Sequence, residues 1–165
     1  MTLRQRKFLP HDIPSWVDGG AVYFLTLCCK KRGLNQLCRR NAAEVIFEAA
    51  SFRQRMHRWH VHLMLLMPDH LHALLSFPLP EDMRKVVAGF KEIVAKRFSV
   101  EWQRDFFDHR LRIGESFDEK AQYIRMNPVR SGLVANLEAW PWIWPPDIGA
   151  DTTCGGPSGP ALPAT

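Results

Sequence analysis

Two apolar runs separated by a pair of turn residues fix the centre of this chain: Val61 to Met67, then Pro68-Asp69, then Ala73 to Phe77. Runs of this length, rich in branched and aliphatic side chains and bounded by Pro and Asp, suit strands better than helices. Two strands joined by a short connection commit the chain to a sheet. Side chains alternate between the faces of a strand, so His70 and His72, at the entrance of the second run, project from one face and converge on a common point.

The flanking sequence predicts the remaining elements. Residues 20 to 30 read as a first strand. Arg39 to Met56 reads as a helix, with Ala43, Ile46, Phe47 and Ala50 at helical spacing. His57 to Met67 is the second strand, with Trp59, Val61, Leu63 and Leu65 on one face, and Leu71 to Phe77 is the third. Pro78 and Pro80 break the chain before a second helix, Glu81 to Ser99, whose stripe is Val86, Val87, Phe90, Ile93, Val94 and Phe98. Its Lys85, Lys91, Lys96 and Arg97 read as a solvated face. Gln103 to Ile113 is the fourth strand, and Ser116 opens a third helix, with Ser116 and Glu119 as a capping box.

The order βαββαβ followed by a helix predicts an α+β fold, a ferredoxin-like or RRM-like sandwich on an antiparallel sheet, with an extra C-terminal helix. Residues 1–18 read as a basic N-terminal arm, 19–144 as the folded domain and 145–165 as a Pro/Gly-rich mobile tail. The series Trp140, Trp142 and Trp144 is expected to pack its segment back on the domain.

The extra helix carries Tyr123 and, four residues on, Asn127, a spacing that presents both side chains to one region. Pro128 donates no backbone hydrogen bond and restricts its predecessor, so Asn127 is expected at the helix end. Two imidazoles and an amide oxygen leave coordination positions open for phosphate oxygens and water. That donor set suits Mg²⁺ or Mn²⁺, and imidazole also favours Zn²⁺. A phenol is a weak nucleophile at neutral pH and gains from such an electrophile. Each piece alone has a plainer reading: packing histidines, a half-buried helix tyrosine, a helix stop. The chain's other tyrosine, Tyr23, lies in the apolar strand Ala21 to Leu27 and reads as a core residue.

Composition limits the partners. The 165 residues are 46% hydrophobic, enough for one domain with a real core, and carry a formal net charge of +5. Basic residues cluster in Arg4, Arg6 and Lys7, in Lys30, Lys31 and Arg32, and in Arg104, Arg110 and Arg112 around Phe106-Phe107. Interleaved cations and rings suit single-stranded nucleic acid, the cations on phosphates and the rings on unpaired bases, although each cluster equally fits a solvated face. Cys28, Cys29, Cys38 and Cys154 lack metal or disulfide spacing, which predicts reduced thiols in a cytoplasm. The N-terminus shows no signal-peptide pattern, and no apolar run reaches membrane-spanning length.

Four segments occur in an order that resembles the single-tyrosine HUH transposases, and most closely the REP-associated tyrosine transposases. They are Tyr23-Phe24-Leu25-Thr26, Met67-Pro68-Asp69-His70-Leu71-His72, Trp102 to His109, and Tyr123-Ile124-Arg125-Met126-Asn127-Pro128-Val129-Arg130-Ser131-Gly132-Leu133-Val134. The resemblance spans roughly residues 15 to 145. It implies that 19–144 is the catalytic domain, that His70, His72 and Asn127 hold a divalent metal, and that Tyr123 is the nucleophile. It also implies single-stranded DNA cleavage beside a palindromic hairpin, through a 5′-phosphotyrosine intermediate and a free 3′-hydroxyl. Arg4, Arg6, Lys7, Lys30, Lys31, Arg32, Arg104, Arg110, Arg112 and Arg125 are the candidate DNA contacts. The expected setting is a prokaryotic cytoplasm, associated with the nucleoid. A homodimer and a monomer fit the sequence equally. Two other functions fit the same residues: a non-catalytic module that holds single-stranded nucleic acid, and a metal phosphoesterase that uses water as nucleophile.

Overall fold

The computed structural model describes residues 16–17 and 20–145. Arg4, Arg6 and Lys7 of the expected arm, Cys154 and nearly all of the expected tail lie outside the described residues. In chain order the elements are β1 (Val22–Cys28), α1 (Arg40–Arg55), β2 (His60–Met67), β3 (His70–Ser76), α2 (Met83–Arg97), β4 (Phe107–Arg110), α3 (Phe117–Arg125), α4 (Asn127–Arg130), a 3₁₀ turn at Leu137–Ala139, and β5 (Ile143–Trp144). The sheet runs β4-β1-β3-β2-β5 and every neighbouring pair is antiparallel. With β3 inserted between β1 and β2, this is the split βαβ arrangement that the element order predicts.

Directly opposed residues share a face, so the register assigns the layers. Leu25 faces Ala73, Leu27 faces Leu71, and Tyr23 faces Leu75. On this side the rings of Tyr23, Phe77, Trp59 and Phe90 form a contact chain that leads to α2, and Trp59 Nε1 donates to the Ala50 carbonyl of α1. Helices α1 and α2 pack together as the cover of this face. The opposite face carries Phe24 across from Leu74, Thr26 across from His72 and Cys28 across from His70. Helix α3 lies against β2 and β3 on that second side, where Phe117 contacts His62 and Lys120 contacts Phe24. Tyr23 is thus a core-side residue, as its strand context predicts.

Several expectations need correction. Val61 does not share a face with Leu63 and Leu65. A register irregularity between Val61 and Leu63 sets Val61 opposite Leu75 but Leu63 opposite Leu74, so the extra residue, His62, reverses the alternation. The fourth strand is far shorter than Gln103 to Ile113, because Lys91 is not on a solvated face. It is buried, and its Nζ donates to the carbonyls of Gln103, Arg104 and Asp105 at 3.0, 3.2 and 3.4 Å. Those carbonyls are drawn to the ammonium, with the Phe106 ring over it, so the pairing with β1 breaks between the Cys29–Trp102 bridge, where Gln103 N still donates to the Cys28 carbonyl, and the strand Phe107–Arg110. Finally, β5 adds a strand at the β2 edge. The tryptophan series does pack back as expected: Trp140 is buried with Nε1 donating to the Leu66 carbonyl, and Leu66 N donates to the Trp142 carbonyl.

Candidate active site

His70 opens β3 and His72 follows it on the same face, with ring centroids 4.8 Å apart and planes at 80°. Both rings are held from behind. His70 Nδ1 donates to Asp69 Oδ1 at 2.7 Å, and His72 Nδ1 lies 2.9 Å from Thr26 Oγ1, its partner across β1. The Asp69 carboxylate can only accept, so His70 carries its proton on Nδ1 and keeps the Nε2 lone pair for a ligand; the Thr26 hydroxyl can accept the His72 Nδ1–H in the same way, which is how an outer oxygen partner fixes the ligating tautomer. His72 is buried, and burial, with His70 and Arg32 nearby, pushes its imidazole down to about 3. It is therefore neutral at any ordinary pH.

Asp69 is more than a turn residue. Its Oδ2 accepts from the Gly33 N–H at 2.7 Å and lies 3.2 Å from Arg32 Nε, while its carbonyl accepts from Cys29 N. Pro68 O accepts from the backbone N–H groups of Gln36 and Leu37. The segment after β1 thus folds around the β2–β3 connection and clamps the carboxylate that orients His70. Burial alone would raise the Asp69 carboxyl, but the Gly33, His70 and Arg32 contacts outweigh it and hold it below the usual carboxylate range.

Helix α3 brings Tyr123 to this face. Ser116 Oγ caps it by accepting from Glu119 N at 3.2 Å, the N-cap half of the predicted capping box. Ile124, on the next position, is fully buried, whereas the Tyr123 ring is half exposed. Lys120 Nζ sits 5.4 Å from the Phe24 ring and 5.6 Å from the Tyr123 ring, and the Arg130 guanidinium carbon lies 4.6 Å from the Tyr123 centroid. Phe24 in turn packs 5.5 Å from the His72 ring. Tyr123, Lys120, Phe24 and His72 therefore form one contact series across the sheet.

Asn127 begins α4 rather than continuing α3, with Met126 between them. The cause is Pro128: it lacks the N–H that the Ile124 carbonyl would otherwise accept. Asn127 Nδ2 stands in, donating to the Tyr123 and Ile124 carbonyls at 3.2 Å each. The amide nitrogen is turned to the helix end, which leaves the amide oxygen as the atom open to a ligand. Among the described residues, no cluster of three or more His, Cys, Asp or Glu side chains is suited to a metal. The two tethered imidazoles fit a divalent cation as a partial donor set, completed by amide, phosphate or water oxygen.

The expected DNA contacts are dispersed. Lys30 pairs with Glu101 at the surface, Lys31 is exposed, and Arg32 is engaged by Asp69. Arg104, Arg110 and Arg112 are exposed, but Arg110 opposes Tyr23 and so belongs to the helix-covered side of the sheet. Arg125 is half-buried in the last turn of α3. Phe107 opposes Thr26, packs edge-on against Phe24 and is 58% exposed, which makes it the open ring nearest the histidine pair on β4. Sequence reasoning gave no part in the site to Thr26, Phe24 or Lys120, and read Asp69 only as a turn residue. Only the adjacency of Asp69 and His70 offered a signal.

Among the described residues no helix is long and apolar enough to cross a membrane. The IS200-like transposase family matches residues 20–120, a span that includes both histidines, Asp69 and Thr26 and stops just short of Tyr123. A REP-associated tyrosine transposase of Escherichia coli strain K12 is 23% identical over 128 residues, covering 74% of this chain and 75% of its own. A Haemophilus influenzae protein provisionally named as another is 24% identical over 143 residues, covering 74% of this chain and 78% of its own. The solved structure of a REP-associated tyrosine transposase bound to a REP hairpin superposes with a TM-score of 0.63 at 20% identity, over 99% of this chain and 100% of that one. A ferredoxin-like sheet with a tethered histidine pair on one face, matched over most of the folded region, establishes that this chain belongs to the IS200-like transposases, with REP-associated tyrosine transposases among its relatives.

Proposed function

We propose that the protein nicks and rejoins single-stranded DNA beside a hairpin, with Tyr123 as the attacking group. The observation that carries this reading is the contact series from Tyr123 through Lys120 and Phe24 to His72, which sets a half-exposed phenol over the same sheet face as two imidazoles with free Nε2 atoms. The relative solved with a REP hairpin motivates the choice of DNA.

In this reaction the Tyr123 oxygen attacks a backbone phosphorus. The O–P bond to the enzyme forms as the P–O3′ bond breaks, the phenol proton is lost, and the 3′-oxygen leaves and takes up a proton. The product is a 5′-phosphotyrosine and a free 3′-hydroxyl, and return of a 3′-hydroxyl reverses the step without external energy. His70 and His72, with Asn127 as third donor, would hold Mg²⁺ or Mn²⁺. When bound, that ion supplies Lewis-acid polarisation of the phosphodiester. Asp69 and Thr26 keep the two rings in the ligating tautomer, and the Arg130 guanidinium packs on the Tyr123 ring. Phe107 offers a stacking surface to an unpaired base beside the cleaved bond.

The test is a denaturing gel with end-labelled hairpin oligonucleotides, comparing wild type with Tyr123→Phe, with and without Mg²⁺ or Mn²⁺. A metal-dependent protein–DNA adduct on the 5′ side that disappears in Tyr123→Phe is expected. Cleavage without an adduct, unchanged in the variant, would replace this mechanism with water attack, and binding without cleavage would reduce the protein to a nucleic-acid holder.

A further inference from the structure

Lys120 differs in its surroundings from the cations that carboxylates or carbonyls engage in the fold. Lys96 pairs with Glu92, Lys30 with Glu101, Arg58 with Glu81 and Arg97 with Glu48, and the buried Lys91 is saturated by backbone carbonyls. Lys120 is half-buried, yet among the described residues no carboxylate lies within ion-pair distance of it. Its Nζ contacts two rings only, Phe24 on the sheet and Tyr123 one turn along its own helix. The nearby Glu115 carboxyl, held low chiefly by hydrogen bonds from Arg112 N and His109, is also lowered slightly by the Lys120 charge without pairing with it.

A half-buried ammonium with no carboxylate in contact is tolerable where an anion arrives to complete it. The position says which anion. Phe24 is also in contact with His72, so Lys120 shares one ring neighbour with the imidazole pair and has the nucleophile's own ring as the other, which sets it beside the path of a phosphate that must meet both. We infer that Lys120 is a catalytic residue that binds a non-bridging oxygen of the scissile phosphate and stabilises the negative charge that grows there during attack by Tyr123. The inference rests on the transesterase reading given above. Fixed cations aimed at developing charge act chiefly on the transition state, so the loss falls on the rate rather than on DNA affinity. Arg130, whose guanidinium carbon lies 4.6 Å from the Tyr123 ring centroid, serves to position the nucleophile.

The experiment measures single-turnover cleavage and hairpin affinity for wild type, Lys120→Ala, Lys120→Arg and Tyr123→Phe under saturating Mn²⁺. Lys120→Ala should cleave about 100-fold more slowly, the usual cost of removing one oxyanion donor, with hairpin affinity within about threefold of wild type. Lys120→Arg restores a cation and should recover to within about tenfold of wild type; a purely structural lysine would give no such recovery. Wild-type cleavage by Lys120→Ala, an equally slow Lys120→Arg, or a loss traced wholly to weaker hairpin binding each overturns the inference, provided Tyr123→Phe is inactive. If Tyr123→Phe cleaves like wild type, the transesterase reading falls and this inference falls with it.

Discussion

Replacing Asp69 with Asn tests whether the turn carboxylate organises the site. In the native structure the carboxylate accepts from Gly33 N and His70 Nδ1, each at 2.7 Å, and lies 3.2 Å from Arg32 Nε. The amide keeps the shape and can still accept through one oxygen, but its nitrogen then confronts a donor. Hydrogen bonds to a charged group contribute about 1.5–3 kcal/mol each, and one such contact is broken outright, so the loss of stability should be roughly 2 kcal/mol. For a domain of this size that lowers Tm by roughly 4–8 °C. Because the native carboxyl is held below its ordinary range, its stabilisation is complete above the unfolded pKa of about 4 and is lost as pH falls through the lower folded value. The gap between wild type and variant should therefore be flat near neutrality and close in acid. A second readout is Mn²⁺ affinity by calorimetry, expected to fall about 10- to 100-fold, as when other outer partners of metal-binding histidines are removed. Unchanged Tm together with unchanged Mn²⁺ affinity would refute the account of Asp69 as the group that ties the loop after β1 to the orientation of His70.

Lys91→Met should cost about 1–3 kcal/mol in urea unfolding, because the three carbonyls that Lys91 satisfies lose their shared donor; a cost near zero would mean that water replaces the ammonium freely. His62 is pushed down to about 4 by burial and the neighbouring His60, so in this range the unfolded chain takes up a proton that the folded one resists. Its contribution to stability is full above the ordinary histidine pKa of about 6.5 and is lost as pH falls toward the folded value. The drop in Tm from about pH 7.5 to about pH 5 should be smaller in His62→Gln than in wild type, and an identical slope would remove His62 as a contributor.

Local chemistry made much of this protein legible. Apolar runs of strand length around Pro68-Asp69 specified β2 and β3, the period-two spacing placed His70 and His72 on one face, Ser116 marked the start of α3, and Pro128 marked its end. These features depend on each residue and its chain neighbours, so the sequence carries them directly. What required the tertiary structure depends on which distant segments meet. Thr26 supports His72 because β1 docks beside β3 in one register, and Asp69 is clamped because the segment after β1 folds over the turn. The length of β4 follows from the burial of Lys91, whose ammonium draws the carbonyls of Gln103, Arg104 and Asp105 and interrupts the pairing with β1 between Gln103 and Phe107. The face of Val61 follows from one extra residue in the β2 register. A strand's alternation is intrinsic, but its register, its end and the partner behind each imidazole are set by packing energies between residues far apart in the chain, and those are decided only when the layers close.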